Sequence, residues 1–357
     1  MYDIVELLKQ AVTKNASDLF ITVGVPPTLK IHGNHVTCGE EKLAPVDSER
    51  LVKSLFTKDE YYGEFLAYGE KDFSFSLRGV GRFRIDAYTQ RGSHAAAIRV
   101  LKFEQLEPEA LMIPDLVLDI RKKTKGLVLI TGPTGSGKST TLSCIIDLIN
   151  KERACHILTL EDPIEYIHKH DKSIIDQREI GIDTRSYADA LRSALRQAPD
   201  VILIGEMRDY ETMAIALTAA ETGHLVFSTL HTIGAAKTID RIIDVFPPNQ
   251  QQQVRVQLST VLQGVVSQQL IPSEAMGRVP AFEIMTMNHA IRNMVREGNV
   301  HQIDSAIHSG KADGMVGMDL SLARLANKGL ITIDDALLHC INHDTIKRYL
   351  DNNKESR

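Results

Sequence analysis

Tryptophan is absent from this chain of 357 residues, and aromatic residues make up only 5% of it. The apolar content is otherwise ordinary, because hydrophobic residues account for 43% of the sequence. That balance excludes disordered and collagen-like chains and is typical of a folded globular protein. The length is sufficient for two domains, each of which could bury a core of its own.

Cysteine is equally scarce. The sequence has four cysteines, and none of them forms a CxxC pair. A cysteine-based zinc site needs clustered thiolate or imidazole ligands, so the scattered positions argue against one. Such sparing use of cysteine suits a reducing cytosol. The four residues are Cys38, Cys144, Cys155 and Cys340.

A basic excess and long apolar runs are also missing. Lys and Arg total 41 against 46 for Asp and Glu, giving a net charge of −5, whereas nucleic-acid binders usually carry a basic excess or a basic face. The one obvious basic cluster, at 121–125, is short and typical of a solvated surface. No apolar run reaches the length of a membrane span, and the acidic opening MYDIVELLKQ does not resemble a signal peptide. We therefore expect a cytoplasmic protein with no integral membrane segment and no nucleic-acid partner.

The first hundred residues predict a small α+β domain. A helix is expected at Ile4–Lys14, and a second one is expected after Pro45, with Asp47 or Ser48 as its N-cap. The segment Arg91–Ser93 marks a hairpin turn between the last two strands. The predicted strands are Leu19–Val23, Thr28–His32, Asp72–Leu77, Gly81–Gln90 and His94–Lys102.

From Lys125 onward, short apolar strands alternate with helices, which predicts a mostly parallel, doubly wound sheet. The expected organisation is an N-terminal domain at 1–102, a proline-containing linker at 103–120 and a larger domain at 121–357. The last hundred residues are predicted to be helical, including Gln250–Gln269 and Ser321–Ala326. The other predicted elements of this half are strands at Leu127–Thr131, His156–Leu160, Val201–Gly205 and Leu225–Leu230, and helices at Lys138–Asn150, Tyr187–Gln197 and Tyr210–Glu221.

The segment GPTGSGKS matches the phosphate-loop pattern GxxxxGK[ST] in full, directly after a predicted strand and at the start of a predicted helix. Glycines allow backbone N–H groups to curl around phosphate oxygens, and the helix N-terminus adds its positive end. Lys138 would reach the β- and γ-phosphates, and the Ser139 hydroxyl would coordinate Mg²⁺. The sequence therefore predicts a site for ATP and Mg²⁺. The residues assigned to the nucleotide here are Gly132, Pro133, Thr134, Gly135, Ser136, Gly137, Lys138, Ser139 and Thr140.

Acidic residues follow two of the predicted strands, at the edge where parallel sheets bind their ligands. Glu206 follows one strand and is predicted to be the Walker B acid, which completes the magnesium shell through water. Asp200 precedes the same strand and therefore lies at the far edge. Another strand leads into the acidic segment EDPIE, in which Glu165 or Glu161 could be the general base. The residues alone do not choose between these two.

Two histidines flank the predicted strand Leu225–Leu230. His231 lies at its carboxyl edge, where it could sense the γ-phosphate. His224 lies at the opposite edge if the strand is regular, and it is retained as a candidate nucleotide-site residue.

The order of these segments resembles the type II/IV secretion ATPases. The phosphate loop is followed by the acidic box Glu161–Glu165, by GEMR around Glu206 and by the histidine box His224–His231. Within that family, AIRNMVRE at 290–297 resembles the AIRNLIRE signature of the pilus retraction ATPases, and ASDL at 16–19 resembles the start of their sequences. The resemblance covers essentially the whole chain.

That resemblance implies an α/β protein, in which a smaller PAS-like α+β domain precedes a RecA-like P-loop ATPase domain, and a homohexameric ring. It gives the role of catalytic base to Glu165 and the Walker B role to Glu206. It also implies that N-terminal arginines complete the site, and the candidates are Arg82 and Arg84 on one strand face and Arg99 on the following strand.

The same resemblance implies a mechanical task. ATP hydrolysis would change the angle between the two domains, and the ring would act on an inner-membrane platform protein at the base of a type IV pilus. The helix containing AIRNMVRE would couple that motion. The protein would lie in the cytoplasm, peripheral to the inner face of the membrane.

Two other functions share the phosphate loop. Pilus extension and type II secretion ATPases usually carry further N-terminal domains and a tetracysteine zinc insert, and we expect neither here. A ring-shaped nucleic-acid motor would need more than the short basic cluster at 121–125. A retraction motor is therefore the expected function.

Overall fold

The computed structural model describes residues 2–31, 33–101 and 107–351. Backbone contacts divide the chain into two compact units, Met1–Gln105 and Leu106–Arg357. The described part of the segment predicted as a linker, residues 107–120, belongs to the second unit. There the short helix α4, Asp115–Leu118, buries Val117 and Leu118 in an apolar core.

The apolar core of the first unit is formed by side chains from three helices and from one sheet. Its helices are α1 (Ile4–Thr13), α2 (Pro45–Lys53) and α3 (Asp59–Tyr68), and its strands are β1 (Asp18–Ile21), β2 (Thr28–Ile31), β3 (Asn34–Thr37), β4 (Glu70–Leu77), β5 (Gly81–Gln90) and β6 (Ser93–Leu101). The sheet is antiparallel, with the order β3-β2-β1-β6-β5-β4. Phe65 of α3 and Leu51 of α2 are fully buried in the same core as Phe83 and Ile85 of β5. The unit is thus the α+β structure that the sequence predicts.

The hairpin between β5 and β6 is shorter than the three residues expected. Gln90 pairs directly with Ser93, which leaves Arg91 and Gly92 as the two turn residues. Their φ angles are 50° and 75°, and a two-residue type I′ turn requires positive φ at both positions.

The predicted N-cap of α2 is wrong. The helix begins at Pro45 with Ala44 as its N-cap, and the carboxylate of Asp47 accepts a hydrogen bond from the Ala44 N–H at 3.1 Å. Proline is favoured at the first helical position, because its missing N–H would have no partner there in any case. Asp47 therefore stabilises the helix from its third position.

The second unit has a seven-stranded sheet with the order β13-β12-β7-β11-β10-β8-β9. All neighbouring pairs are parallel except β12 and β13. Its strands are β7 (Gly126–Thr131), β8 (His156–Glu161), β9 (Ile174–Glu179), β10 (Val201–Ile204), β11 (Leu225–Leu230), β12 (Leu262–Ser273) and β13 (Gly277–Thr286). The doubly wound sheet predicted from the sequence is confirmed.

Helices cover the sheet of the second unit. They are α4, α5 (Lys138–Glu152), α6 (Tyr187–Ala194), α7 (Tyr210–Glu221), α8 (Ala235–Val245), α9 (Pro248–Val261), α10 (His289–Glu297), α11 (Ile303–Ser309), α12 (Met318–Asn327), α13 (Ile333–His339) and α14 (His343–Asp351). Within the parts of the chain that the structure describes, no helix is both long and apolar enough to cross a membrane.

The helix predicted over Gln250–Gln269 is wrong in its second half, since α9 ends at Val261 and β12 begins at Leu262. Most of β12 is buried, because the strand lies between β7 and β13. A strand buried on both faces lacks the alternation of apolar and polar residues that distinguishes a strand from a helix.

Three consecutive buried polar residues of β12 each form a hydrogen bond with a different part of the second unit. Ser267 Oγ accepts a hydrogen bond from the Gly234 N–H at 3.0 Å, just before α8. Gln268 Oε1 accepts one from the Thr141 hydroxyl of α5 at 2.8 Å, and Gln269 Nε2 donates to the His339 carbonyl of α13 at 3.2 Å. These bonds satisfy polar groups that would otherwise be buried at a cost in free energy.

Candidate nucleotide-binding and hydrolysis site

The phosphate loop, Gly132–Ser139, connects β7 to α5 at the carboxyl edge of the sheet. The φ angle of Gly132 is 142°, and a Cβ there would lie 2.1 Å from the carbonyl oxygen of Gln268. Only glycine fits so close to a neighbouring strand. The loop ends at Gly137, the N-cap of α5. The first N–H groups of that helix are therefore available to an anion.

Lys138 lies against the loop that precedes it. Its Nζ donates hydrogen bonds to the carbonyl oxygens of Gly132 at 2.9 Å and Pro133 at 3.0 Å. Burial lowers the pKa of Lys138, while the charges of Glu206 and Glu165 oppose that shift. The ammonium group is thus held beside the loop with two acids near it, as a phosphate-binding lysine requires.

A cavity of about 350 Å³ opens beside the loop at the ends of β8, β10 and β11. Parallel strands present the residues at their carboxyl ends to one edge of the sheet, which brings together side chains from distant parts of the chain. The predicted site residues that line it are Thr134, Gly135, Lys138, Ser139, Glu161, Glu165, Glu206 and His231.

Glu206 lies beyond the end of β10, and each of its carboxylate oxygens has a side-chain nitrogen beside it. Arg208 Nη2 lies 2.7 Å from Oε1, and His231 Nε2 lies 3.2 Å from Oε2. The other ring nitrogen of His231, Nδ1, lies 3.4 Å from the Thr134 hydroxyl of the phosphate loop. His231 therefore connects the acid after β10 to the loop after β7, and its role as a γ-phosphate sensor stays a prediction.

Glu161 ends β8 and has a carboxylate that is surrounded by hydrogen-bond donors. Oε1 accepts from the Thr159 hydroxyl at 2.6 Å and from Gln177 Nε2 at 3.2 Å, and the carboxylate also accepts from the Glu165 N–H. Burial raises the pKa of Glu161 to about 7, although these hydrogen bonds oppose the shift. A half-buried carboxylate that accepts several hydrogen bonds in this way is suited to holding its surroundings in place.

Glu165 is exposed on the loop between β8 and β9, on the wall of the same cavity. Two contacts join the residues after it to α5. The Thr140 and Tyr166 hydroxyl oxygens are 2.8 Å apart, and Ser143 Oγ lies 3.3 Å from His168 Nε2. Glu165 thus faces the phosphate loop from a segment that is attached to the helix following that loop.

The oxygen donors beside the loop fit a magnesium ion bound together with phosphates. Mg²⁺ is usually held by one or two protein oxygens and by phosphate oxygens, and it keeps several waters. The Ser139 hydroxyl and the Glu206 carboxylate line one cavity. Among residues 2–31, 33–101 and 107–351 no group of three or more acidic, His or Cys side chains could hold a metal alone.

The remaining predicted site residues do not line this cavity. His224 precedes β11, at the opposite edge of the sheet, and its Nδ1 lies 3.0 Å from the carbonyl oxygen of Ala219. Arg82, Arg84 and Arg99 belong to the first unit, where Arg84 and Arg99 are opposite each other on β5 and β6. Their role at the nucleotide stays a prediction.

The two aligned arginines already have carboxylate neighbours within the first unit. Arg84 forms an ion pair of 2.5 Å with Asp72, and Arg99 forms one of 3.2 Å with Asp18. These pairs are partly exposed, so each contributes little to stability.

Sequence reasoning missed several residues of the cavity and its surroundings. Arg208 and Tyr166 stand inside motifs that the sequence displays, and their types could have been noted there. Gln177 had no signal, because β9 itself was not predicted. Tyr187 also lines the cavity, and burial raises the pKa of its hydroxyl.

A phosphate loop after the first parallel strand, with acids beyond the neighbouring strands, defines the class of P-loop nucleotide-binding ATPases. The family model for type II/IV secretion system proteins matches residues 93–316. The chain belongs to this family, the type II/IV secretion ATPases.

Named relatives agree with that assignment over nearly the whole chain. The type IV pilus retraction ATPase PilT of Pseudomonas aeruginosa is 46% identical over 336 residues, which are 94% of this chain and 97% of that protein. A twitching motility protein of Neisseria gonorrhoeae is 43% identical and covers 97% of this chain and 92% of its own length. A crystal structure of the pilus retraction motor PilT with bound ADP superposes with a TM-score of 0.91 at 47% identity, covering 98% of this chain and 100% of that one. The predicted fold class, a RecA-like ATPase domain after a smaller domain, is confirmed.

Proposed function

We propose that this protein is an ATP-hydrolysing motor that powers retraction of type IV pili. The observation that carries the ATPase part is the single cavity that collects Lys138, Ser139, Glu165 and Glu206. The retraction part rests on similarity to PilT over nearly the whole chain.

The residues of the cavity divide the chemical work between them. Lys138 and the N–H groups at the start of α5 bind the phosphates and stabilise the charge that develops during transfer. Glu165 accepts the proton of the attacking water, because it is an exposed carboxylate on the cavity wall and because the family resemblance gives it the role of base. His231 orients Glu206 through the 3.2 Å contact, and from the cavity wall it would respond to the terminal phosphate.

Magnesium would be held by the Ser139 hydroxyl and, through water, by Glu206. Bound there, it would neutralise charge on the transferring phosphoryl group. Because Arg208 and His231 already contact both carboxylate oxygens of Glu206, an indirect, water-mediated contact suits this residue better than direct coordination.

The assembly and its partner follow from the same proposal. We infer a homohexamer in which Arg82, Arg84 and Arg99 complete the nucleotide site, and a platform protein of the inner membrane on which the ring acts from the cytoplasmic side. The exposed polar face of α10, which carries AIRNMVRE, would take part in that coupling.

Phosphate release with Mg²⁺ and ATP tests the ATPase directly. Lys138→Ala should abolish turnover, since the loop loses its cation. Lys151→Ala, at the other end of α5 and paired only with surface carboxylate Asp147 in the contacts described, is the matched control and should retain activity. Unchanged turnover in Lys138→Ala would contradict the assigned site.

Deleting the gene separates retraction from extension. Cells without a retraction motor should still display pili that no longer withdraw, whereas cells without an extension motor should display none. Wild-type protein and Lys151→Ala should restore withdrawal, and Lys138→Ala should not. Normal withdrawal in the deletion strain would exclude the proposed role.

A further inference from the structure

β9 places two polar side chains beside the loop that carries Glu165. The strand pairs in parallel with β8, so that Thr159 is opposite Gln177 and Glu161 is opposite Glu179. Since Gln177 and Glu179 are two residues apart on one strand, their side chains leave the same face of the sheet.

The side-chain amide of Gln177 both donates hydrogen bonds and accepts one at that loop. Its Nε2 donates to the Tyr166 carbonyl oxygen at 2.8 Å and to Glu161 Oε1 at 3.2 Å. Its Oε1 accepts from the His168 N–H at 2.8 Å. One side chain therefore fixes the backbone at Tyr166 and His168, within three residues of Glu165.

Two carboxylates fix the positions before and at Glu165. Glu179 is buried and its Oε2 accepts from the Ile164 N–H at 3.0 Å. Glu161 accepts from the N–H of Glu165 itself. Together with Gln177, these side chains hold the backbone at 164, 165, 166 and 168, on both sides of the Glu165 side chain that lines the cavity.

We propose that Gln177 is a positioning residue for ATP hydrolysis, acting through Glu165. The inference rests on the proposed function, because it needs Glu165 to be the base. A general base must lie within hydrogen-bond reach of the water that it activates, and a misplacement of about 1 Å can cost roughly 100-fold in rate. Gln177 itself does not line the cavity, so its loss should leave nucleotide binding intact.

The test is the steady-state ATPase of the full chain carrying Gln177→Leu, which keeps the size of the side chain and removes all three hydrogen bonds. We expect kcat to fall about 10- to 100-fold, with KM and the dissociation constant of ADP within about threefold of wild type. Gln197→Leu is the matched control, since it makes the same change at an exposed position of the same unit and should leave kcat unchanged.

A second comparison separates positioning from general destabilisation. In the Glu165→Gln background, adding Gln177→Leu should lower kcat no further, because residues that act as one unit are non-additive. If Gln177→Leu does not fold, Gln177→Glu replaces it, because that variant keeps an acceptor for the His168 N–H while losing both donors. The same loss of kcat is expected.

The outcomes distinguish this inference from the proposed function. Wild-type kcat in Gln177→Leu, an equal loss of nucleotide affinity, or a further loss in the Glu165→Gln background would overturn the positioning role while leaving the ATPase intact. A wild-type protein that releases no phosphate would instead show that the assigned site is wrong, and a fully active Glu165→Gln variant would show that Glu165 is not the base.

Discussion

Two glutamates four positions apart have opposite surroundings. Glu161 is half-buried and surrounded by donors, and its pKa is raised to about 7, whereas Glu165 is exposed on the cavity wall. A base must reach water and phosphate, while a carboxylate already engaged by Thr159, Gln177 and the Glu165 N–H is not free to do so. The environment thus assigns different tasks to residues that the sequence alone could not separate.

This difference predicts different kinetics for two matched variants. Glu165→Gln should bind ATP and lose hydrolysis by at least about 100-fold, because the proton acceptor is gone. Glu161→Gln should retain more activity, since an amide oxygen can still accept from Thr159 and Gln177. The measurement is single-turnover phosphate release with nucleotide binding in parallel. Normal turnover in Glu165→Gln would transfer the base role to Glu161.

Glu283 of β13 is another buried acid, and it does not line the proposed nucleotide cavity. Its two carboxylate oxygens accept from the Ala235 N–H at 2.7 Å and the Met318 N–H at 3.4 Å, at the starts of α8 and α12. Burial raises its pKa to about 7, although these hydrogen bonds favour the charged form.

A raised pKa makes stability fall as the pH rises. The folded protein keeps the Glu283 proton up to about pH 7, while the unfolded chain loses it near pH 4.3. The stabilising contribution of this proton is therefore complete below about pH 4.3, declines up to about pH 7 and stays lost above that. Glu283→Gln cannot ionise, so its stability relative to wild type should increase across this window.

Urea unfolding at several pH values measures this effect. Glu274→Gln, an exposed acid between β12 and β13, is the control and should follow wild type. Parallel curves for Glu283→Gln and wild type would show that Glu283 ionises normally.

At the scale of elements, Arg292 of α10 binds the C-terminal end of α9. Arg292 Nη1 donates to the carbonyl oxygens of Ser259 at 2.6 Å and Thr260 at 3.1 Å, in the last turn of α9. These carbonyls have no acceptor role within their own helix, so a cation there satisfies them and favours the helix dipole.

Arg292→Met should therefore destabilise the protein by about 2 kcal/mol, the scale of a hydrogen bond to a charged group. Arg296→Met, one turn further on the exposed side of the same helix, should change the free energy of unfolding by less than about 0.5 kcal/mol. Chemical denaturation of both variants gives the comparison. Equal stabilities would mean that α9 ends equally well without the arginine.

Elements with a local signal were predictable, and those defined by distant contacts were not. β7 and β11 are mostly apolar, and the phosphate loop fixes the start of α5, so their bounds agree with the sequence to within a residue or two. β9, with the sequence IIDQRE, shows no such signal, because it carries polar side chains that form hydrogen bonds with the backbone of the loop after β8. The same is true of β12, whose polar residues bind three other elements. Residues that line the cavity could therefore be predicted from motifs, but the residues of β9 and β12 that hold neighbouring elements in place could not.

At the scale of the whole molecule, each unit has an apolar core of its own. The segment 107–120 contributes Ile113, Val117 and Leu118 to the second core, where each is nearly or fully buried. A fragment starting at residue 121, as the predicted domain boundary suggests, would lack them.

A fragment spanning 107–357 should thus be more stable than one spanning 121–357, by about 2 kcal/mol for each of the three side chains. Thermal and urea unfolding of the two fragments measures the difference. The fragment 1–105 is a useful companion, because its own core should give it a cooperative transition. Equal stability of the two longer fragments would place the boundary after α4.

The tripeptide Ser267-Gln268-Gln269 makes positions that are far apart in the sequence depend on one another. Its three consecutive side chains form hydrogen bonds with Thr141, Gly234 and His339. A substitution at any of these three positions therefore affects the same short stretch of β12. Compensating substitutions in relatives should accordingly pair residues across roughly two hundred positions of chain, and an engineer who alters the C-terminal helices must reconsider the start of the ATPase core as well.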